Sequence, residues 1–82
     1  MGSKVSNLID IKTLRVVRLF LNNPDEIYHI QKISKNAKVP LGTTFRLMQK
    51  MTKEEIVKTI PVGKLKLYQL NKKMKKELEL LK

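Results

Sequence analysis

The tightest constraint on this chain is a five-residue break, Asn36-Ala37-Lys38-Val39-Pro40, set between two short stretches of helical periodicity. Pro40 cannot continue a helix, and it pushes Val39 towards extended backbone. At the start of the next helix it is tolerated, because the N–H it lacks would be unpaired there anyway. Residues 30–37 form one amphipathic stretch, with Ile30, Ile33, Ser34 and Ala37 on its inner side. A second stretch opens at Pro40 or Leu41 and runs to about Lys53, with Thr44, Leu47, Met48 and Met51 inward. Two short helices joined by a three- or four-residue turn form a helix-turn-helix. Ser34 and Ala37 supply the small groups such a tight turn requires, and Val39 plugs the gap between the helices. Ile33 and Leu47 complete the inner face.

The flanking segments supply the rest of a core. Ser6 or Asp10 can cap a first helix running to about Leu21, with Leu14, Val17, Phe20 and Leu21 on one face and Val16 beside them. Lys12, Arg15, Arg18 and Asn22 lie opposite. Leu19 falls on the polar side, where it is either covered by the last helix or offered to a second copy. Asn22-Asn23-Pro24-Asp25 ends the helix, and Glu26-Ile27-Tyr28 reads as a short edge strand. After Lys53 the period changes from helical to alternating. Residues 56–60 and 65–70 read as strands around a turn at 61–64, where Gly63 is available for positive φ. Asn71 caps a final amphipathic helix with Met74, Leu78 and Leu81 on its apolar side. The expected fold is α+β in one domain over residues 6–82: helix, short strand, helix, helix, hairpin, helix. Residues 1–5 are set apart as a tag remnant or disordered N-terminus, Met1-Gly2-Ser3 resembling a cloning scar.

Charge narrows the partner. The 82 residues hold 18 Lys and Arg against 7 Asp and Glu, a net charge of +11. Residues 27–53 carry Lys32, Lys35, Lys38, Arg46, Lys50 and Lys53 with no acidic residue, and the acids flank that block. A lysine-rich surface can be merely solvated, but a one-signed segment inside a folded domain opposes folding through self-repulsion unless a polyanion offsets it. Nucleic acid is the expected partner. Other classes lack their residues. Without cysteine there is no disulfide, thiolate zinc site or cysteine nucleophile. His29 is the only histidine and has no partner residues in a recognisable catalytic or metal motif, so it reads as a helix cap or phosphate contact. No cofactor and no small-molecule site can be identified. No apolar run approaches the roughly 20 residues that cross a bilayer. The basic C-terminal segment (Lys72, Lys73, Lys75, Lys76) lacks the aromatic anchors of a membrane-surface helix. Single-strand binding needs exposed aromatics, and of Phe20, Tyr28, Phe45 and Tyr68 two read as core.

The stretch Val39-Pro40-Leu41-Gly42-Thr43-Thr44-Phe45-Arg46-Leu47-Met48-Gln49-Lys50-Met51, followed by Glu55-Ile56-Val57, resembles the recognition-helix region of prokaryotic winged-helix regulators, MarR-like and IclR-like repressors above all. Gly63-Lys64 and Tyr68-Gln69-Leu70 resemble the glycine-basic wing turn and its returning strand, so the likeness covers about residues 13–71. Lys38 stands where glycine is commonest and Thr44 where valine or isoleucine is usual. The first implies a left-handed residue at some cost; the second places a hydroxyl near the core, able to bond back to the preceding turn.

The resemblance implies a winged helix that binds double-stranded DNA sequence-specifically, as a small transcriptional regulator. The helix from Leu41 enters the major groove with its N-terminal half towards the bases. Arg46 is the leading base reader, pairing bidentately with guanine; Thr43 and Gln49 are secondary, and Gly42 permits close approach. Phe45 either packs on the helix flank or touches a thymine methyl or sugar. Lys32, Lys35, Lys38, Lys50 and Lys53 are expected on phosphates, and Lys64 and Lys66 of the wing on an adjacent minor groove or its backbone. A cytoplasmic, nucleoid-associated location follows from this reading. A homodimer could form through Leu19, Leu80 and the last helix. A chain of this length is expected to hold no separate ligand-sensing domain, being a stand-alone binder or an excised DNA-binding domain. The competing expectation is a winged helix that docks proteins within a larger transcription or replication assembly, which would favour exposed apolar residues over Arg46, Gln49 and Lys50.

Overall fold

The computed structural model describes residues 10–80. Of the two candidate caps, Asp10 is the one seen: its Oδ1 accepts from the Lys12 amide at 3.1 Å and opens α1 (Ile11–Asn22). The chain continues through β1 (Tyr28–His29), α2 (Ile30–Ala37), α3 (Leu41–Lys53), β2 (Val57–Val62) and β3 (Leu65–Leu70). A single 3-10 turn at Lys72–Met74 then leads into α4 (Lys75–Glu79). This is the expected order of elements. The sheet is antiparallel with β3 at its centre: Tyr28 of β1 faces Tyr68, and Val57 of β2 faces Leu70.

One core joins every layer. Val16, Val17, Phe20 and Leu21 of α1 meet Ile33 and Ala37 of α2, Met48 and Met51 of α3, Val57, Tyr68 and Leu70 of the sheet, and Leu78 of α4. Phe20 and Tyr28 meet edge to face, ring centroids 5.2 Å apart, and so tie the first helix to the edge strand. Leu19, Ile30, Leu47 and Met74 border this core half-buried, so Leu19 packs against the core while part of it stays open.

Three boundaries depart from expectation. The edge strand is Tyr28–His29 and excludes Glu26 and Ile27; only Tyr28 and His29 reach β3, and Ile27 is exposed. The hairpin strand extends to Val62, so the turn is two residues, Gly63-Lys64, and not four. Pro61 had suggested the turn, but β2 is an edge strand, where a residue without an N–H is accommodated. Asn71 does cap the last helical segment, its Oδ1 accepting from the Lys73 amide at 3.1 Å, but the first turn is 3-10. Leu81 and Ser6 lie outside the described residues.

Both inner helices end on left-handed residues that are not glycine. Lys38 has φ 57° and ψ 48°, and the amides of Lys38 and Val39 both donate to the Ser34 carbonyl. Glu55 has φ 61°, with Ile56 N–H on the Met51 carbonyl and Glu55 N–H on the Thr52 carbonyl. The second pair is that of a Schellman ending, and the first combines its outer bond with the single bond of an αL ending; glycine is usual at both because a Cβ in this conformation costs about 1–2 kcal/mol. Lys38→Gly removes that cost but gives the unfolded chain more freedom, which offsets about 0.4–1 kcal/mol. The expected outcome is a domain more stable by roughly 0.5–1 kcal/mol, read as a higher urea midpoint with an unchanged slope.

Candidate nucleic-acid interface

Residues four apart on a helix stand one above the other. Two adjacent outward rows therefore run along α3: Leu41, Phe45, Gln49, Lys53 and Gly42, Arg46, Lys50, all exposed. Behind them Thr44, Met48 and Met51 are buried and Leu47 is half-buried, so the outward rows are held by packing on the opposite side. The Thr44 hydroxyl, fully buried, donates to the Pro40 carbonyl at 2.9 Å and reaches the Val39 carbonyl at 3.3 Å. Thr43 is half-buried, and its Oγ1 accepts from Nη2 of Arg46 at 3.4 Å. That contact lays the guanidinium back along the helix while leaving most of its five donors free.

The helix carries no acid from Leu41 to Lys53, and among the described residues Arg46, Lys50 and Lys53 form no ion pair. Lys50 and Lys53 lie in its last turn, where cations also favour the helix dipole. The other expected phosphate contacts differ from one another. Lys32 sits 3.7 Å from Glu26 and over the Tyr28 ring at 5.8 Å from the centroid, so its charge is partly engaged on the protein. Lys35 is exposed near the end of α2 and Lys38 at the turn. His29 caps α2, Nδ1 accepting from the Gln31 amide at 3.3 Å, the structural half of its expected roles.

The hairpin carries Lys64 and Lys66 clear of the core, since every residue from 61 to 66 is exposed. Its turn has positive φ at Gly63 (60°) and not at Lys64, the pattern of a type II′ turn matched to the twist of the strands. Lys58, exposed on β2, adds a cation to the wing that residue-by-residue reading left out. Arg15 was placed only on the polar face of α1. In the structure its Nη1 reaches the Lys38 carbonyl at 3.4 Å, bracing the turn before α3. Arg15, Arg18, Asn22, Asn36 and Lys38 also rim an open cleft of about 300 Å³ floored by Leu19 and Ala37, a concavity that no local motif announces.

The titratable groups that shift belong to the fold. Lys72 bonds to the Asp25 carboxylate and holds it below the usual carboxylate value. Burial pushes the phenols of Tyr28 and Tyr68 up, with Glu26 adding to the effect at Tyr28. Among the described residues no three His, Cys, Asp or Glu side chains gather as a metal site, and no helix is long and apolar enough to cross a membrane.

No protein-family model and no curated protein matches the sequence. Solved structures do match. A MarR family transcriptional regulator from Silicibacter pomeroyi DSS-3 superposes with a TM-score of 0.73 at 14% identity, over 98% of this chain and 60% of its own. A protein from Archaeoglobus fulgidus gives 0.72 at 20% identity, over 95% of this chain and 88% of its own. A protein from Mycobacterium tuberculosis gives 0.72 at 16%, over 95% and 53%. The chain thus spans little more than half of two of these three. At such identities the likeness shows the fold, and the fold is the winged helix.

The wing depends on one backbone conformation. At Gly63 an added Cβ would meet no atom within 4 Å, so Gly63→Ala tests strain without a clash. Its positive φ should make that substitution cost about 1 kcal/mol in thermal unfolding, while the helices keep their circular dichroism.

Proposed function

We propose that this chain binds double-stranded DNA sequence-specifically, as the DNA-binding part of a transcriptional regulator. The observation that carries the reading is the acid-free outward surface of α3, where Arg46, Lys50 and Lys53 stand exposed and without an ion-pair partner among the described residues. The major groove of B-DNA admits one α-helix and shows a distinct pattern at every base pair. With α3 in that groove, Arg46 pairs with guanine, Thr43 and Gln49 assist, and Gly42 lets the backbone approach. Lys50, Lys53, Lys35 and Lys38 contact phosphates; Lys32 contributes less, because Glu26 already holds it. Lys64 and Lys66 bring the wing to the neighbouring backbone or minor groove. The MarR family regulator with the same fold supports this role. The role is binding without catalysis, at the nucleoid of the cytoplasm. Pairing of two copies through the last helix, where Leu80 is 86% exposed, would present two recognition helices to half-sites about one helical turn apart.

One observation favours the alternative of a protein-docking module: Leu41 and Phe45 are half-exposed on α3. Titration against random duplex separates the two readings, since a DNA binder weakens steeply between about 50 and 200 mM salt and a protein-docking module shows no such binding.

Substitutions divide the residues by role. Arg46→Ala is expected to cost about 1–3 kcal/mol on a selected site and to relax preference at one base pair. Lys50→Ala should weaken all sequences alike and lower the salt slope by about one counterion. Fluorescence anisotropy on selected and random duplexes at several salt concentrations measures both effects. Equal losses on both duplexes for Arg46→Ala would remove it as a base reader.

A further inference from the structure

The outward face of α3 is not uniformly polar. Leu41 and Phe45, four residues apart and therefore stacked on one row, are 47% and 50% exposed. They occupy the N-terminal half of the helix, and Gln49 and Lys53 complete their row below. The adjacent row is Gly42, Arg46 and Lys50. Two large apolar side chains thus lie beside a guanidinium that forms no ion pair among the described residues, on a helix that holds no carboxylate from Leu41 to Lys53.

That mixture selects the occupant. An apolar protein surface would leave Arg46 and Lys50 desolvated without partners, and their cost would oppose docking. A duplex offers both chemistries together. Its phosphates answer the lysines, guanine answers Arg46, and the only apolar group that B-DNA presents in its major groove is the thymine C5-methyl. We propose that Leu41 and Phe45 form a thymine-methyl reader, so that the preferred site carries a thymine neighbouring the guanine read by Arg46. This rests on the DNA reading above and adds the base that the apolar row selects.

Deoxyuridine tests it, because it pairs as thymine does but lacks the methyl. On a duplex selected from a random pool, each thymine is replaced in turn. At one or two positions the loss of a buried methyl should weaken wild-type binding by about threefold to fivefold. Phe45→Ala and Leu41→Ala should each bind the thymine duplex less well, and at least one should become indifferent to deoxyuridine at the same position. Both side chains are half-exposed, and unchanged thermal midpoints confirm that the variants remain folded. Wild-type indifference to deoxyuridine at every thymine, with Arg46→Ala still impaired, overturns the methyl reader and leaves DNA binding standing. Absence of salt-dependent duplex binding overturns both. If Phe45→Ala instead dissolves a dimer of the free protein in sedimentation, this row is a self-association surface and the proposal fails.

Discussion

The arrangement of this domain hangs on a single carbonyl. The oxygen of Val39 accepts from the Ser34 hydroxyl at 2.6 Å, and at 3.3 Å it shares the single proton of the Thr44 hydroxyl with the nearer Pro40 carbonyl, one group from the helix before the turn and one from the helix after it. Val39 itself is buried, and the Pro40 carbonyl is taken by both the Thr44 amide and its hydroxyl. A peptide group that would otherwise be buried without partners therefore becomes the point at which α2 and α3 are fastened together. Arg15 reaches the neighbouring carbonyl of Lys38 from α1. The angle of α3, and with it the direction of every outward side chain, follows from these few bonds and from the buried methionines behind them.

The departures from low-energy local structure gather around the same helix. Lys38 before it and Glu55 after it both hold positive φ without being glycine. Between them the helix carries cations without a carboxylate. Each of these lowers the stability of an isolated domain, because strain and like-charge repulsion are both unfavourable in the folded state. The ion pairs seen among the described residues lie on other elements, Lys72 with Asp25 and Lys32 with Glu26.

What could be read in the sequence was whatever is local. Pro40 and the pre-proline Val39 marked the turn, the periodicity of Thr44, Met48 and Met51 marked the inner side of α3, and Lys38 announced its own left-handed backbone by standing where glycine is usual. The shifted boundaries are those set by pairing at a distance. Tyr28 and His29 become the strand because they face Tyr68 and Leu67, forty residues further along. Pro61 continues β2 because that strand happens to be an edge, a fact of sheet order and not of residue type. The engagement of Lys32 with Glu26 and Tyr28, and of Arg15 with the turn, likewise depends on side chains meeting across elements. Exposure is the other quantity a pattern states poorly: Phe45 could be assigned to a flank, but how much of it and of Leu41 remains uncovered depends on what the remaining elements leave bare.

On the proposed DNA-binding role, that uncovered surface bears on how affinity and selectivity divide in so small a domain. Lysines on flexible stems tolerate error in position, since a phosphate accepts a point charge from many directions. A bidentate guanidinium and an apolar contact with a single methyl tolerate far less. The groups suited to tolerant contacts lie at the periphery, on the wing at Lys58, Lys64 and Lys66 and on the last turn of α3 at Lys50 and Lys53. The demanding groups, Leu41, Phe45 and Arg46, sit in the first half of α3, next to the turn that Ser34, Thr44 and Arg15 hold rigid. The groups that tolerate least positional error thus lie beside bonds that fix the start of the helix. A helix without those bonds at its start would place a loose turn against the bases, and its selectivity would be correspondingly poor.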